Sequence, residues 1–119
     1  MIARIESLSP LEAVNILIGD IIDELSNGYE FSQYMGVMLQ KSSEKQKQAN
    51  QELVTAIAKI IEQGQEEKVF VSRNPLQLAQ FLVSIFQGLS STQLLLKDKF
   101  ILPTTEQITS FLEIGYNGE

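Results

Sequence analysis

The sequence predicts an all-α fold, a bundle of about five or six helices forming a single domain over residues 1–119. Three observations support this prediction. Apolar residues recur every three or four positions in each long segment, as they do along the buried face of a helix. Several segments begin with a residue that caps helices, followed by proline or by an acidic or amide side chain. No segment alternates apolar and polar residues as a half-buried strand does.

Composition excludes several classes of function. The 119 residues include no cysteine and no histidine, so zinc fingers, thiol nucleophiles, imidazole bases and disulfides are excluded. We therefore expect a protein that is not an enzyme and that uses no metal or cofactor. The formal charge of −6 repels phosphates, so these residues are not expected to bind DNA. The absence of cysteine and of a signal-peptide pattern favours the cytoplasm.

The first helix is predicted over residues 10–26. Ser9 has the position of a capping residue, Pro10 suits the first helical position, and Glu12 completes a capping box. Asn27 and Gly28 end the segment, because both residue types tolerate a positive φ. Residues 1–8 are compatible with the end of a preceding helix.

Two further helices are predicted in the first half of the chain. One runs from about Glu30 to Gln40 at helical spacing. The next begins near Ser42 or Ser43, with Glu44 in its first turn, where it suits the helix dipole. The first half of this third helix is entirely polar, and its second half is apolar. It is therefore expected to project into solvent at one end and to pack at the other. The apolar residues of that second half are Leu53, Ile57, Ile60 and Ile61.

A fourth helix is predicted over residues 75–96, where Asn74 and Pro75 repeat the cap-and-proline start. It lies in the longest stretch without charge, between Arg73 and Lys97. Its many glutamine and serine residues argue against a membrane span. The uncharged polar stripe favours contact with another subunit, since interfaces are depleted in charge, although a solvent face of small polar residues is the alternative. The stripe consists of Gln77, Gln80, Ser84, Gln87 and Ser91, beside Gly88.

The last helix is predicted over residues 103–117. Thr104 and Gln107 have capping-box spacing, and Gly115 permits close approach of a neighbouring helix. One face of this helix carries Ile108, Phe111, Leu112 and Gly115, which we expect at the same interface.

Three stretches of the chain are motif-like: residues 9–13 (SPLEA), residues 60–70 (IIEQGQEEKVF), and residues 74–79 (NPLQLA) followed by residues 87–89 (QGL). Through them, nearly the whole chain resembles the ligand-binding and dimerisation domain of TetR-family transcriptional regulators. The second stretch is similar to the family's I-x-x-G-x-x-x-G-x-F helix exit, except that Lys68 replaces the second glycine. The third is similar to its D-P-x-x-L-A helix ending in G-L. No part of the chain matches the helix-turn-helix region with which family members begin.

The resemblance implies a mechanism. In such regulators the last two long helices of each subunit form a four-helix bundle with the partner's, which here implies a homodimer through residues 75–96 and 103–117. The earlier helices would enclose a small apolar or aromatic effector, which acts through its differential affinity for two arrangements of the dimer. DNA would be bound only through the N-terminal region that this sequence lacks.

Candidate pocket residues come from the first three helices. Methionine and aromatic side chains adapt to irregular apolar ligands, and a tyrosine hydroxyl adds orientation. Ordinary core packing is the alternative for each residue taken singly. The candidates are Phe31, Tyr34, Met35 and Met38 of the second helix, with Ile18, Ile22, Leu53 and Ile57 as further walls.

Two other classes of function remain open at this point. A stand-alone helical interaction module would use the same dimer surface and bind no small molecule. An enzyme is disfavoured because no nucleophile motif is present. The acidic residues Asp20, Asp23 and Glu24 share one helical face, which is expected to be a solvated surface in preference to a cation site.

Overall fold

A computed structural model describes residues 8–40 and 43–113, and its described side chains are those of residues 8–37 and 43–113. This part of the chain is all-α, which confirms the predicted fold class. Single 3₁₀ turns follow the last two helices, at Lys97–Lys99 and Ser110–Leu112. The helices are α1 (Pro10–Ser26), α2 (Glu30–Gln40), α3 (Glu44–Glu66), α4 (Pro75–Leu96) and α5 (Thr105–Thr109).

Side-chain caps explain where α1 and α4 begin, and both predicted starts are confirmed. The Ser9 Oγ accepts a hydrogen bond from the Glu12 backbone N–H at 3.3 Å and donates one to Glu12 Oε1 at 2.8 Å. The Asn74 Oδ1 accepts from the Gln77 N–H at 3.1 Å. Both caps satisfy N–H groups that the first turn leaves without a helical partner. At the end of α1, Gly28 has a φ of 121°, as its sequence position predicts.

The third helix is exposed at one end and buried at the other, as predicted. Ser43 and Gln46 form a complete capping box at its start. The buried residues lie in its second half, where Val54 is 7% exposed and Leu53, predicted to pack, is 40% exposed. Leu53 therefore borders a surface opening while its neighbour belongs to the core.

The core lies where α1, α3 and α4 meet, and α5 closes it against α1. Helix α4 packs mainly against α3 and α2. Each fully buried leucine or isoleucine contributes about 1.5–3 kcal/mol of burial free energy. The central residues are Val14, Leu17, Ile18, Ile57, Ile61, Ala79, Leu82, Phe86, Ile108 and Leu112.

The connection from α3 to α4 is closely packed. The Phe70 ring lies against Gly64, where an added Cβ would come within 2.0 Å of Phe70 Cδ2. Lys68, the residue in place of the second glycine of the resembled motif, has a φ of 62°. The left-handed conformation explains why a glycine suits this position. The Gln65 side-chain amide donates to the carbonyl oxygens of Val71 and Arg73, which holds the loop against the end of α3.

The prediction of one continuous helix over residues 103–117 is wrong. The Thr104–Gln107 capping box forms as expected, but the α-helix ends at Thr109 and a 3₁₀ turn ends at Leu112. The Glu113 backbone is extended, with a ψ of 143°. The cause is a long-range contact, because the Val71 N–H donates to the Leu112 carbonyl oxygen at 2.8 Å. Residue Gly115 lies outside the described residues.

None of the helices in residues 8–40 and 43–113 is both long and apolar enough to cross a membrane.

Candidate ligand cavity and outer helix face

A cavity of about 400 Å³ lies between α1, α2, α3 and α4. This volume falls within the range of about 300–1,000 Å³ that small-molecule pockets occupy. Its walls are mostly apolar, and every one of the four helices contributes to them. The apolar lining consists of Ile21, Phe31, Met35, Ala49, Leu53, Val83 and Phe86, and the polar lining consists of Tyr34, Gln46, Lys47, Asn50 and Gln87.

A buried polar contact fixes the position of α2, which supplies the aromatic wall. The Ser32 hydroxyl, which is fully buried, donates to the Gln93 side-chain carbonyl of α4. The Gln93 amide in turn donates to the Leu25 carbonyl oxygen at 2.7 Å. Because the buried groups satisfy one another, α2 is held against α4 and the end of α1 at a defined angle.

Four of the eight predicted pocket residues line this cavity, namely Phe31, Tyr34, Met35 and Leu53. Ile18 is fully buried in the core, and Ile57 is also buried there. Ile22 is partly buried and packs against the same core. The Met38 side chain lies outside the described residues. Three of the four α2 candidates therefore line the cavity, whereas sequence spacing did not distinguish core from cavity on α1 and α3.

Sequence reasoning missed the walls that α4 and the polar half of α3 provide. Val83 and Phe86 are also buried, so their helical spacing indicates only a core position. Lys47 and Asn50 lie in the polar start of α3, which suggests solvent exposure alone. Only the packing of α3 beside α2 places these polar residues around an apolar cavity.

Lys47 is the one charged residue among the described residues that line the cavity. Its ammonium pairs with Glu44 Oε1 at 3.7 Å. The Glu44 side chain is 95% exposed and does not line the cavity. Such an exposed ion pair contributes little, because water and salt screen it. The Lys47 charge is therefore available to a group bound nearby.

A second, larger opening of about 740 Å³ runs between the start of α1 and α3. Six of its fourteen lining residues are polar or charged, including Gln48, Glu52 and Lys59. The smaller cavity is the better small-molecule site, because less of its exposed lining surface is polar and it is lined by one charged side chain instead of two.

The outward face of α4 carries no charge. Gln77, Gln80, Ser84, Gly88 and Ser91 of the predicted interface are all exposed, and Gln87 is half-buried at the cavity. Apolar side chains lie among them, with Leu76 at 50% and Leu95 at 81% exposure. The face is thus uncharged, partly apolar and uncovered in the single chain.

Three described residues predicted at the interface, Ile108 of α5 and Phe111 and Leu112 of the 3₁₀ turn that follows it, do not lie on this surface. Ile108 and Leu112 are buried in the core of the chain itself. Phe111 is 9% exposed and makes an edge-to-face contact with Phe81 of α4, with 5.1 Å between ring centroids. Phe81 itself is 54% exposed, so it is Phe81 that presents an aromatic surface next to α5.

Within the described ranges, no group of three or more aspartate, glutamate, histidine or cysteine side chains is arranged to hold a metal ion. Asp23 and Glu24 are exposed on α1. Comparison of the chain with models of known protein families, with curated proteins and with solved structures finds no match.

Proposed function

We propose that this chain is the effector-sensing and dimerisation domain of a TetR-like transcriptional regulator. The observation that carries the proposal is the mostly apolar cavity between α1, α2, α3 and α4, which is open to solvent on one side and has Phe31, Tyr34 and Met35 in its wall. The order of helices and the motif-like stretches around Gly64 and Pro75 support the same function. In this proposal DNA is bound by a separate helix-turn-helix region and not by residues 1–119.

Helix α4 connects the two parts of the proposed function. Val83, Phe86 and Gln87 line the cavity, whereas Ser84 and Gly88, on the same two turns, lie on the outward face. A ligand that fits one position of α4 better than another shifts the balance between them by its difference in affinity. A displacement of α4 then changes the surface that a partner subunit contacts.

The proposed partner is a second copy of this chain, related by a two-fold axis and packed on the outward face of α4. An isologous contact places the same uncharged residues against each other, so no charge is buried without a partner. Because Ile108 and Leu112 lie in the core of the protomer, the proposed interface rests on α4, with Phe81 beside α5.

Binding of the neutral fluorescent probe N-phenyl-1-naphthylamine tests the ligand site. We expect saturable binding with a fluorescence increase, and a loss of at least about tenfold in affinity for Met35→Trp, because the larger ring fills the cavity. The control is Val37→Trp, since Val37 is 50% exposed on the same helix and does not line the cavity. Equal binding by both variants, or no saturable binding at all, would contradict the proposal.

A stand-alone interaction module is the second candidate. The exposed, charge-free face of α4 favours it as much as it favours a regulator. The two functions differ in the cavity, because an interaction module has no use for a small molecule there. A dimer that binds no probe in the cavity supports the module.

A further inference from the structure

We infer that the cavity between α1 and α4 selects ligands with an aromatic or apolar body and one anionic group, which Lys47 binds. This inference rests on the proposed function, because it assumes that the cavity is a ligand site. Beyond the proposed function, the inference specifies the charge of the ligand and its orientation in the cavity. The argument depends on how apolar and polar lining residues are distributed.

The aromatic rings and aliphatic side chains of the lining favour an apolar or aromatic group as the main part of the ligand. Phe31 and Phe86 face the cavity from α2 and α4, with Met35 and Leu53 beside them. Aromatic rings favour edge-to-face or offset contact with another ring, and a thioether adapts its shape to either. A planar aromatic group is therefore well accommodated.

The charged end is determined by Lys47. It is the one charged residue in the described lining, and no aspartate or glutamate of the described residues lies there. An ammonium favours a carboxylate over a neutral amide of the same shape, because a charge-assisted hydrogen bond is stronger than a neutral one. The exposed pair with Glu44 competes weakly, since water screens it.

Neutral polar side chains also line the cavity. The Asn50 side chain lies one turn after Lys47 on α3, and Gln87 lies on α4. Both carry amide N–H donors that suit carboxylate oxygens. Gln46 also lines the cavity, but its side-chain oxygen accepts a hydrogen bond from the Ser43 N–H in the α3 cap.

The test compares three probes that share one ring system, by calorimetric titration of the whole chain at low ionic strength. These are 2-naphthoate, the neutral 2-naphthamide and the cationic 2-naphthylmethylamine. We expect 2-naphthoate to bind on the order of tenfold tighter than 2-naphthamide, and the amine to bind most weakly. Added salt should reduce the preference for the carboxylate, because Lys47 is partly exposed.

Two matched variants assign the preference to a residue. Lys47→Gln should bring the affinities of 2-naphthoate and 2-naphthamide to within about twofold of each other. Lys45→Gln removes the same charge from an exposed residue on the same turn that does not line the cavity, and it should leave the preference unchanged. Unaltered melting temperatures for both variants show that the fold is intact.

Failure of this inference is distinguishable from failure of the proposed function. If 2-naphthoate and 2-naphthamide bind equally well, and Met35→Trp abolishes both, the cavity is a ligand site but the anion preference is refuted. If Lys45→Gln and Lys47→Gln reduce the preference equally, general surface charge explains it and the inference is also refuted. If neither N-phenyl-1-naphthylamine nor any of the three 2-naphthyl probes binds, the proposed function is refuted.

Discussion

The side-chain amide of Gln93 in α4 donates a hydrogen bond to the backbone carbonyl oxygen of Leu25, 2.7 Å away in the last turn of α1. Carbonyl groups in the last turn of a helix have no partner within that helix, so Gln93 satisfies one of them. The side-chain carbonyl oxygen of Gln93 accepts a hydrogen bond from the Ser32 hydroxyl of α2. One buried side chain thus connects the three helices that surround one side of the cavity.

Replacing Gln93 should destabilise the protein. Gln93→Leu leaves the Ser32 hydroxyl and the Leu25 carbonyl without partners in a buried site, which costs about 1–3 kcal/mol of unfolding free energy. Urea unfolding measures the change. Adding Ser32→Ala to Gln93→Leu should recover part of the loss, because the orphaned hydroxyl is removed. Gln33→Leu, at an exposed position on α2, is the control, and a loss equal to that of Gln93→Leu would contradict this role.

Gly64→Ala should destabilise the chain even though alanine is the better helix former. The new methyl group would lie 2.0 Å from Phe70 Cδ2, so the ring and its loop must move. We expect a net loss of about 1–3 kcal/mol, the usual cost of overpacking. Gly36→Ala is the matched comparison, because its methyl group would lie 3.9 Å from Leu94 Cδ1. That variant should gain up to about 1 kcal/mol from helix propensity. Equal thermal stability of the two variants would contradict the packing of Phe70 on Gly64.

Lys68→Gly should stabilise the protein by about 0.5–1 kcal/mol. The φ of 62° at Lys68 strains an L-residue by about 1–2 kcal/mol, and glycine removes that strain at some cost in unfolded-chain entropy. Lys68→Val should lower the melting temperature, because a β-branched residue tolerates this conformation least. Differential scanning calorimetry on the two variants checks the order. If the glycine variant is less stable than the wild type, the Lys68 side chain contributes more to the free energy of unfolding than the backbone strain at this residue costs.

A charge on the outward face of α4 should break the proposed dimer. In the proposed two-fold dimer, Ser84→Glu adds a negative charge to the contact face of each copy, so the dissociation constant should rise on the order of a hundredfold. Ser84 is exposed, so the protomer itself should remain folded. Gln87 and Leu89 are less suitable positions, because Gln87 lines the cavity and Leu89 packs on the core.

Light scattering over a concentration series measures the dissociation constant. Gln33→Glu adds the same charge at an exposed position on α2 and should leave assembly unchanged. A wild-type chain that remains monomeric at micromolar concentration, or an unaffected Ser84→Glu dimer, would show that the proposed interface is wrong.

Helix boundaries set by local chemistry were predictable from the sequence. Ser9 and Asn74 each bond to the backbone three residues later, and Gly28 lies at its positive φ, so short-range patterns suffice. The end of α5 was not predictable, because it depends on the hydrogen bond between Val71 and Leu112, which are far apart in sequence. Periodicity shows which face of a helix is apolar but not which distant segment terminates it.

The candidate site was predictable only in part, for a similar reason. Phe31, Tyr34 and Met35 share one face of α2 at helical spacing, and all three line the cavity. Ile18 has the same apolar character as Ile21, yet Ile18 lies in the core and Ile21 lines the cavity. Ile21 packs at the edge of the core where the cavity begins, and the apolar spacing of α1 does not reveal where that edge lies.

The most direct test of the effector-sensing proposal is a titration followed at the methyl group of Met35. The chain has only three methionines, so methyl-labelled protein gives few signals, and a Met35→Leu variant assigns the one of interest. Ring currents from 2-naphthoate should shift the Met35 methyl resonance saturably, reaching completion at one probe per chain. A Met35 resonance that does not move, or that drifts without saturation as the probe is added, would contradict the proposal that this cavity binds an effector.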